Sequence, residues 1–210
     1  MDIIHIFLHL DQTLVTLSQS FGIWLYVLLF LVVFAETGLV ITPFLPGDSL
    51  LFAVGALTAL PESGISLPLI IPLLIAAALI GDNTNYWIGR KFGPRVFSKE
   101  HSRFFNRKHL DKTQNFYDKF GTRAVFFGRF MPIARTFVPF VAGIGQMIYK
   151  KFIGYSIASA LVWVCSFSLA GYYFGNLPSV KSHFHWVVVG VIVISLLPIA
   201  IEAIKTRRAS

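Results

Sequence analysis

The chain has 210 residues, of which 55% are hydrophobic and only 13% charged, and it carries a formal net charge of +8. An ordinary soluble domain is about 25% charged, so this much apolar surface does not fit inside one small water-soluble globule, and that class is excluded. The length gives one domain, and the apolar segments run almost without pause from Phe21 to the end, so residues 21–210 are expected to form a single membrane domain.

The first twenty residues contain no Lys or Arg, and the apolar stretch after them starts too late for a secretory leader. Ile3, Ile4, Phe7, Leu8, Leu14, Val15 and Leu17 recur at roughly helical spacing. Residues 1–20 are therefore read as an amphipathic helix at the membrane interface, with a short packed helix as the alternative.

The next stretch, Phe21 to Leu60, is interrupted. Glu36-Thr37-Gly38 and Pro43-Phe44-Leu45-Pro46-Gly47-Asp48 divide two apolar arms, each too short to span a bilayer. Two prolines and a glycine within five residues break any helix there. Unpaired backbone at membrane depth is tolerated only where protein or a watery cavity covers it. Residues 36–48 are accordingly expected at the tip of a re-entrant hairpin.

Ile65 to Ile88 has the length of a span and carries Asp82 and Asn85 near one end. The loop that follows, Arg90 to Arg123, holds ten basic residues against Glu100, Asp111 and Asp118, which places it on the cytoplasmic side. Its phenylalanines interleave with cations in a way that nucleic-acid binders share, but beside membrane spans anionic lipid headgroups are the expected partner, and nucleic acid is not.

Ala124 to Met147 repeats the interrupted design. Gly128-Arg129-Phe130-Met131-Pro132 leads through Arg135 to Pro139-Phe140-Val141-Ala142-Gly143, an echo of Pro43 to Gly47. Lys150 and Lys151 put its far end on the cytoplasmic side as well, so the segment has to turn back. Phe152 to Phe174 and Trp186 to Ile204 are then ordinary spans, followed by a basic, cytoplasmic C-terminus. The fold class is thus an all-α integral membrane protein, polytopic, with two opposed re-entrant helical hairpins (about 21–60 and 124–147) related as an inverted repeat. Secondary transporters built this way hold their site near the midplane.

Cys165 is the single cysteine, so neither an internal disulfide nor a thiolate zinc site is available. The pairs His5/His9 and His183/His185 supply two ligands each, which do not close a metal site and are read as interfacial polar anchors. No metal or other cofactor is expected.

Four charges fall at membrane depth: Glu36, Asp48, Arg129 and Arg135. Each costs about 2.5 to 3.5 kcal/mol even on the lenient insertion scale. Mutual neutralisation in structural ion pairs is one account, yet apolar residues could replace such pairs with little loss of stability. Two arginines grip a phosphate or carboxylate through bidentate charge-assisted bonds. Arg129 and Arg135 are therefore the candidate anion-binding residues, with Glu36 and Asp48 against them in the empty site. An arriving anion would displace a carboxylate, which then takes up a proton. Asp82 and Tyr86 share one helical face; Asp82 either pairs with a nearby arginine or lines the passage.

At these residues the chain resembles the DedA family of bacterial inner-membrane proteins, which share a domain with lipid scramblases of the endoplasmic reticulum. The resemblance rests on Glu36-Thr37-Gly38 with Pro43, Pro46, Gly47 and Asp48, on Gly81-Asp82 with Tyr86, and on Gly128-Arg129 with Pro132, Arg135, Pro139 and Gly143. It is nearly full-length. What it implies is movement of lipids between leaflets, undecaprenyl phosphate or phospholipids among them, dependent on proton-motive force, with Glu36, Asp48, Arg129 and Arg135 essential.

The expected function is flipping of a phosphate-bearing lipid across the inner membrane. A proton-coupled transporter of a small anion or ion is the alternative. An intramembrane lipid enzyme lacks a nucleophile or metal set beside the arginines, because His101 and His109 lie in the cytoplasmic loop. A structural organiser would tolerate charge-neutralising double substitutions. The oligomeric state, a homo-oligomer included, is not read from the sequence.

Overall fold

The computed structural model describes residues 20–38, 47–97 and 121–181. Among them the chain is helical throughout, with no β-strand. In order, α1 is Ile23–Gly38, α2 is Gly47–Thr58 and α3 is Leu67–Phe97; Ala124–Gly128 forms α4, Pro132–Ile144 α5, Tyr149–Gly175 α6 and Pro178–Lys181 α7. Short 3₁₀ turns at Pro61–Ser63 and Gly121–Arg123 precede α3 and α4. The expected N-terminal helix, the loop tip with Pro43 and Pro46, most of the basic loop, and the span Trp186 to Ile204 lie outside the described residues.

Among the described residues, two helices are long and apolar enough to cross a membrane: α3 over Leu67–Lys91 and the whole of α6. The 27 residues of α6 rise about 40 Å, at ~1.5 Å each. The solvent these helices suit is read from which side chains they hide. On α6, Ser156, Ser159 and Trp163 are fully buried while Ile157, Leu161 and Val162 face outward. On α3, Asp82, Asn85 and Tyr86 are buried while Ile80 and Trp87 are about half exposed. Polar side chains inside and large apolar ones outside invert the pattern of a soluble helix. That inversion is stable only where the surroundings are apolar.

The chain falls into two compact units. The first contains residues 47–71 and 165–181 of the described chain, with the start of α1. There α2 meets the end of α6 at very short range. A Cβ on Gly55 would stand 2.1 Å from the Ser168 carbonyl oxygen, and one on Gly171 would stand 2.0 Å from that of Phe52. Ala56 packs against Val180 of α7, with Leu57 and Leu60 alongside. Tyr26 accepts a hydrogen bond from the Ser66 amide at 2.8 Å, fastening α1 to the entry of α3.

The second unit comprises residues 28–38, 72–97 and 121–164 of the described chain, with the end of α1, most of α3, α4, α5 and the first half of α6. Its apolar core gathers Tyr86, Ala124, Val125, Ala134, Val138, Ala142, Met147 and Phe152. The segment 124–144 breaks at Arg129–Met131, where the Phe130 and Met131 amides bond back to Phe127 and Gly128. Met131 is extended, and Pro132 starts α5 at a position where its missing N–H costs nothing. The chain then doubles back, since Val138 returns to within 2.8 Å of where a Cβ on Gly128 would sit.

Two details differ from the expectation. Glu36 is not on a loop tip: α1 runs through Glu36 and Thr37 to Gly38, with the Thr37 hydroxyl donating to the Val33 carbonyl at 2.8 Å. Neither residue forbids a helix, and the first proline after them is Pro43. Likewise Pro139 sits inside α5 instead of ending it. An interior proline loses the bond to the carbonyl four residues back and crowds that carbonyl, at a cost of about 3 kcal/mol, yet α5 continues through it, and the turn needed for reversal is already made at Arg129–Met131.

Candidate functional site: paired charges in the second unit

Three helices of the second unit are held at backbone contact by glycine. A Cβ on Gly81 of α3 would lie 2.0 Å from the Thr37 hydroxyl oxygen and 2.9 Å from the Gly38 nitrogen of α1. Farther along α3, one on Gly89 would lie 2.1 Å from the Phe140 carbonyl oxygen of α5, and one on Gly143 of α5 would lie 2.1 Å from that of Tyr86. The side chains next to these contacts, Glu36 on α1, Asp82 on α3 and Arg135 on α5, are thereby brought inside. Asn85 ties the same three elements, donating to the Thr37 carbonyl at 2.5 Å and to that of Thr136 at 3.2 Å.

Arg135 donates through Nη1 to Glu36 Oε1 at 2.6 Å and through Nε to the Arg129 carbonyl at 3.1 Å. Arg129 donates through Nη2 to Asp82 Oδ2 and through Nε to the Ser159 hydroxyl at 3.1 Å. Ser156 donates to the same Asp82 oxygen at 2.5 Å. All four charged side chains are buried, with Glu36 3%, Asp82 2%, Arg129 3% and Arg135 5% exposed. Both guanidinium carbons lie over one indole ring, that of Trp163: Arg129 at 5.4 Å and Arg135 at 4.7 Å from its centre.

The charges cancel formally, two cations against two carboxylates, but the hydrogen bonding of Arg129 is incomplete. Its Nη1 is buried and has no hydrogen-bond partner among the described residues. A buried polar donor left unmade costs about 1 to 3 kcal/mol, and more when charged. The site thus presents a cationic donor suited to an additional oxygen acceptor.

The structure brings Glu36, Arg129 and Arg135 together, with Asp82 as the acid against Arg129. Asp48 stands half-buried in the first turn of α2, which belongs to the first unit, as does the buried Gly47. Tyr86 has a packing role: its hydroxyl donates to the Met147 carbonyl at 2.5 Å and accepts from Arg90 at 3.0 Å, and its ring stacks on Phe152. Gly128 and Gly143 give close helix approach, Pro132 opens α5, and Pro139 is buried within it.

Ser156, Ser159, Trp163 and Asn85 complete the network without having been singled out as site residues from the sequence. A signal for them existed. Ser156, Ser159 and Trp163 follow one another at three and four residues, one helical face of an apolar span.

A family model described as the VTT domain matches residues 45–173. Over 208 residues, 99% of this chain and 95% of that protein, the sequence is 48% identical to Protein DedA of Escherichia coli strain K12. It is 40% identical over 179 residues to an uncharacterized membrane protein of Mycobacterium tuberculosis, covering 85% of this chain and 78% of that one. Inner membrane protein YqjA of Escherichia coli strain K12 is 33% identical over 154 residues, 73% of this chain and 69% of its own length. No solved structure matches.

Proposed function

Because the chain belongs to the DedA family of VTT-domain membrane proteins, we propose that it moves a phosphate-bearing lipid, such as undecaprenyl phosphate or a phospholipid, between the leaflets of the bacterial inner membrane. The observation that carries this reading is the unsatisfied Nη1 of buried Arg129, beside a second arginine that shares its indole platform. A phosphate monoester or diester offers the oxygens such a pair of forks takes up bidentately. Exposed apolar side chains along these helices, Ile80 and Trp87 on α3 and Ile157, Leu161 and Val162 on α6, suit a lipid tail staying in the bilayer.

Proton coupling follows from charge counting. The site is neutral with Glu36 and Asp82 ionised, so an entering monoanionic phosphate leaves a net charge of −1 in a low-dielectric setting. One proton on the carboxylate that the phosphate displaces restores neutrality. Glu36 then acts as a coupling group against Arg135, and Asp82 does the same against Arg129. Replacing Glu36 with Gln keeps an acceptor for Arg135 but removes the titration. Transport by Glu36→Gln is expected to lose most of its dependence on an imposed pH gradient; an unchanged dependence sinks the scheme.

The bilayer setting of this site is two opposed re-entrant hairpins, 21–60 and 124–147, with the loop after α3 and the C-terminus cytoplasmic. In a Cys165→Ser background, single cysteines at Gln19 and Pro61 are expected to react with an impermeant maleimide from the same, periplasmic side, and one at Ser102 from the other. Labelling of Gln19→Cys and Pro61→Cys from opposite sides rules out the first hairpin.

The deciding experiment is leaflet-resolved transport in proteoliposomes, with undecaprenyl phosphate, phosphatidylglycerol and a neutral diacylglycerol in separate arms and inorganic phosphate uptake in a fourth. Transport of the phosphate lipids without the diacylglycerol supports the proposal. Uptake of inorganic phosphate with no lipid movement favours the small-anion transporter instead.

A further inference from the structure

We infer that Trp163 is a positioning residue of the phosphate site, holding both arginine forks in place while their carboxylate partners are exchanged for a lipid phosphate. This rests on the reading of that site as one for phosphate. The ring is fully buried in α6, one turn beyond Ser159. Its face meets two guanidinium groups from different places in the chain, one in the turn after α4 and one in α5.

Two cations this close repel, and more so away from water. The negative face of an indole is the strongest aromatic counterweight available, and its attraction for a guanidinium grows when both are desolvated. A core leucine would fill much of the volume and supply none of that field.

The hydrogen bonds and the ring are separate contacts of the same two forks. A guanidinium donates only in its plane, and here the in-plane bonds run to Glu36, Asp82, Ser159 and the Arg129 carbonyl. When phosphate replaces a carboxylate, one of those bonds breaks, and that fork keeps a single in-plane bond, Arg129 to Ser159 or Arg135 to the Arg129 carbonyl, about which it can still turn. The contact with the ring is not among the exchanged bonds and survives the exchange. Trp163 therefore keeps each fork aimed at the incoming oxygens and limits the ordering that binding would otherwise require.

The test uses the full chain in lipid nanodiscs with Trp163→Phe and Trp163→Leu. Arginine-selective ¹⁵N labelling reads the Nε–H signals of Arg129 and Arg135 without any ligand, and dihexanoyl phosphatidic acid is the binding probe. In Trp163→Leu both signals are expected to lose their ring-current displacement, and affinity is expected to fall about tenfold. In Trp163→Phe, which retains a weaker aromatic face, the signals stay displaced and affinity falls no more than about threefold. If Trp163→Leu leaves the signals and the affinity unchanged, the ring is ordinary core and the inference is overturned. If Trp163→Leu moves the signals but the unaltered protein does not bind phosphatidic acid, the phosphate reading of the site fails and the inference falls with it.

Discussion

Arg129→Ala is expected to lower transport of phosphate-bearing lipid at least a hundredfold. The side chain supplies the free donor, the bond to Ser159 and the partner of Asp82 at once. Losing it removes a charge-assisted contact to the headgroup, worth about 1.5 to 3 kcal/mol for hydrogen bonds to charged groups, together with half of the cationic field of the site. Arg129→Lys restores the charge but not the fork: a single ammonium cannot reach Asp82, Ser159 and a phosphate oxygen in fixed directions.

The single alanine variant also strands Asp82 as a buried carboxylate, and breaking a buried pair by removing one partner costs about 3 to 5 kcal/mol. Reduced transport alone would therefore be ambiguous between lost function and lost fold. The double variant Asp82→Ala/Arg129→Ala removes both charges. It should recover most of the thermal stability lost by the single variant, while transport stays at the level of Arg129→Ala. The corresponding pair, Glu36→Ala/Arg135→Ala, should behave alike. Transport restored together with stability in both doubles would mean that the charges only organise the membrane domain.

Much of this arrangement was legible from residue type and spacing. A charge in an apolar segment is expensive enough that Glu36, Arg129 and Arg135 stood out as site candidates without coordinates. That the segment 124–147 turns back is expected from the basic residues flanking it; its place, at Arg129–Met131, is not. The partner of Arg129 was harder to find, because a choice between Asp48 and Asp82 depends on which helix lies beside the Arg129 turn, and periodicity describes one helix at a time. The answer is written in Gly81 and Gly89, whose missing side chains bring α3 against α1 and α5. A glycine read alone signals a turn as readily as a contact. Serine and tryptophan in an apolar span carry no comparable penalty, so spacing alone marks the face formed by Ser156, Ser159 and Trp163, and only weakly.

Those glycine contacts make the second large prediction, and it concerns stability. Gly89→Ala places a Cβ 2.1 Å from the Phe140 carbonyl oxygen and 2.9 Å from its carbonyl carbon. Both atoms are backbone within α5, so no rotamer change relieves the clash, and the two helices have to separate. Overpacking of this kind costs about 1 to 3 kcal/mol where side chains can adjust, and at backbone contact the cost is expected at or above the upper end. Gly154→Ala is the internal control. It lies in the second turn of α6 with nothing within 4 Å of the added carbon, and alanine is favoured over glycine in a helix by about 1 kcal/mol. Thermal unfolding in detergent, followed by size-exclusion chromatography, should show Gly89→Ala losing its folded peak well below the unaltered protein while Gly154→Ala matches or exceeds it. Because α5 carries Arg135 and α3 carries Asp82, whatever Gly89→Ala survives folding should also transport poorly. A Gly89→Ala protein as stable as Gly154→Ala would mean that α3 and α5 do not meet at backbone contact, and the spacing that brings Asp82 and Arg135 into one site would lose its cause.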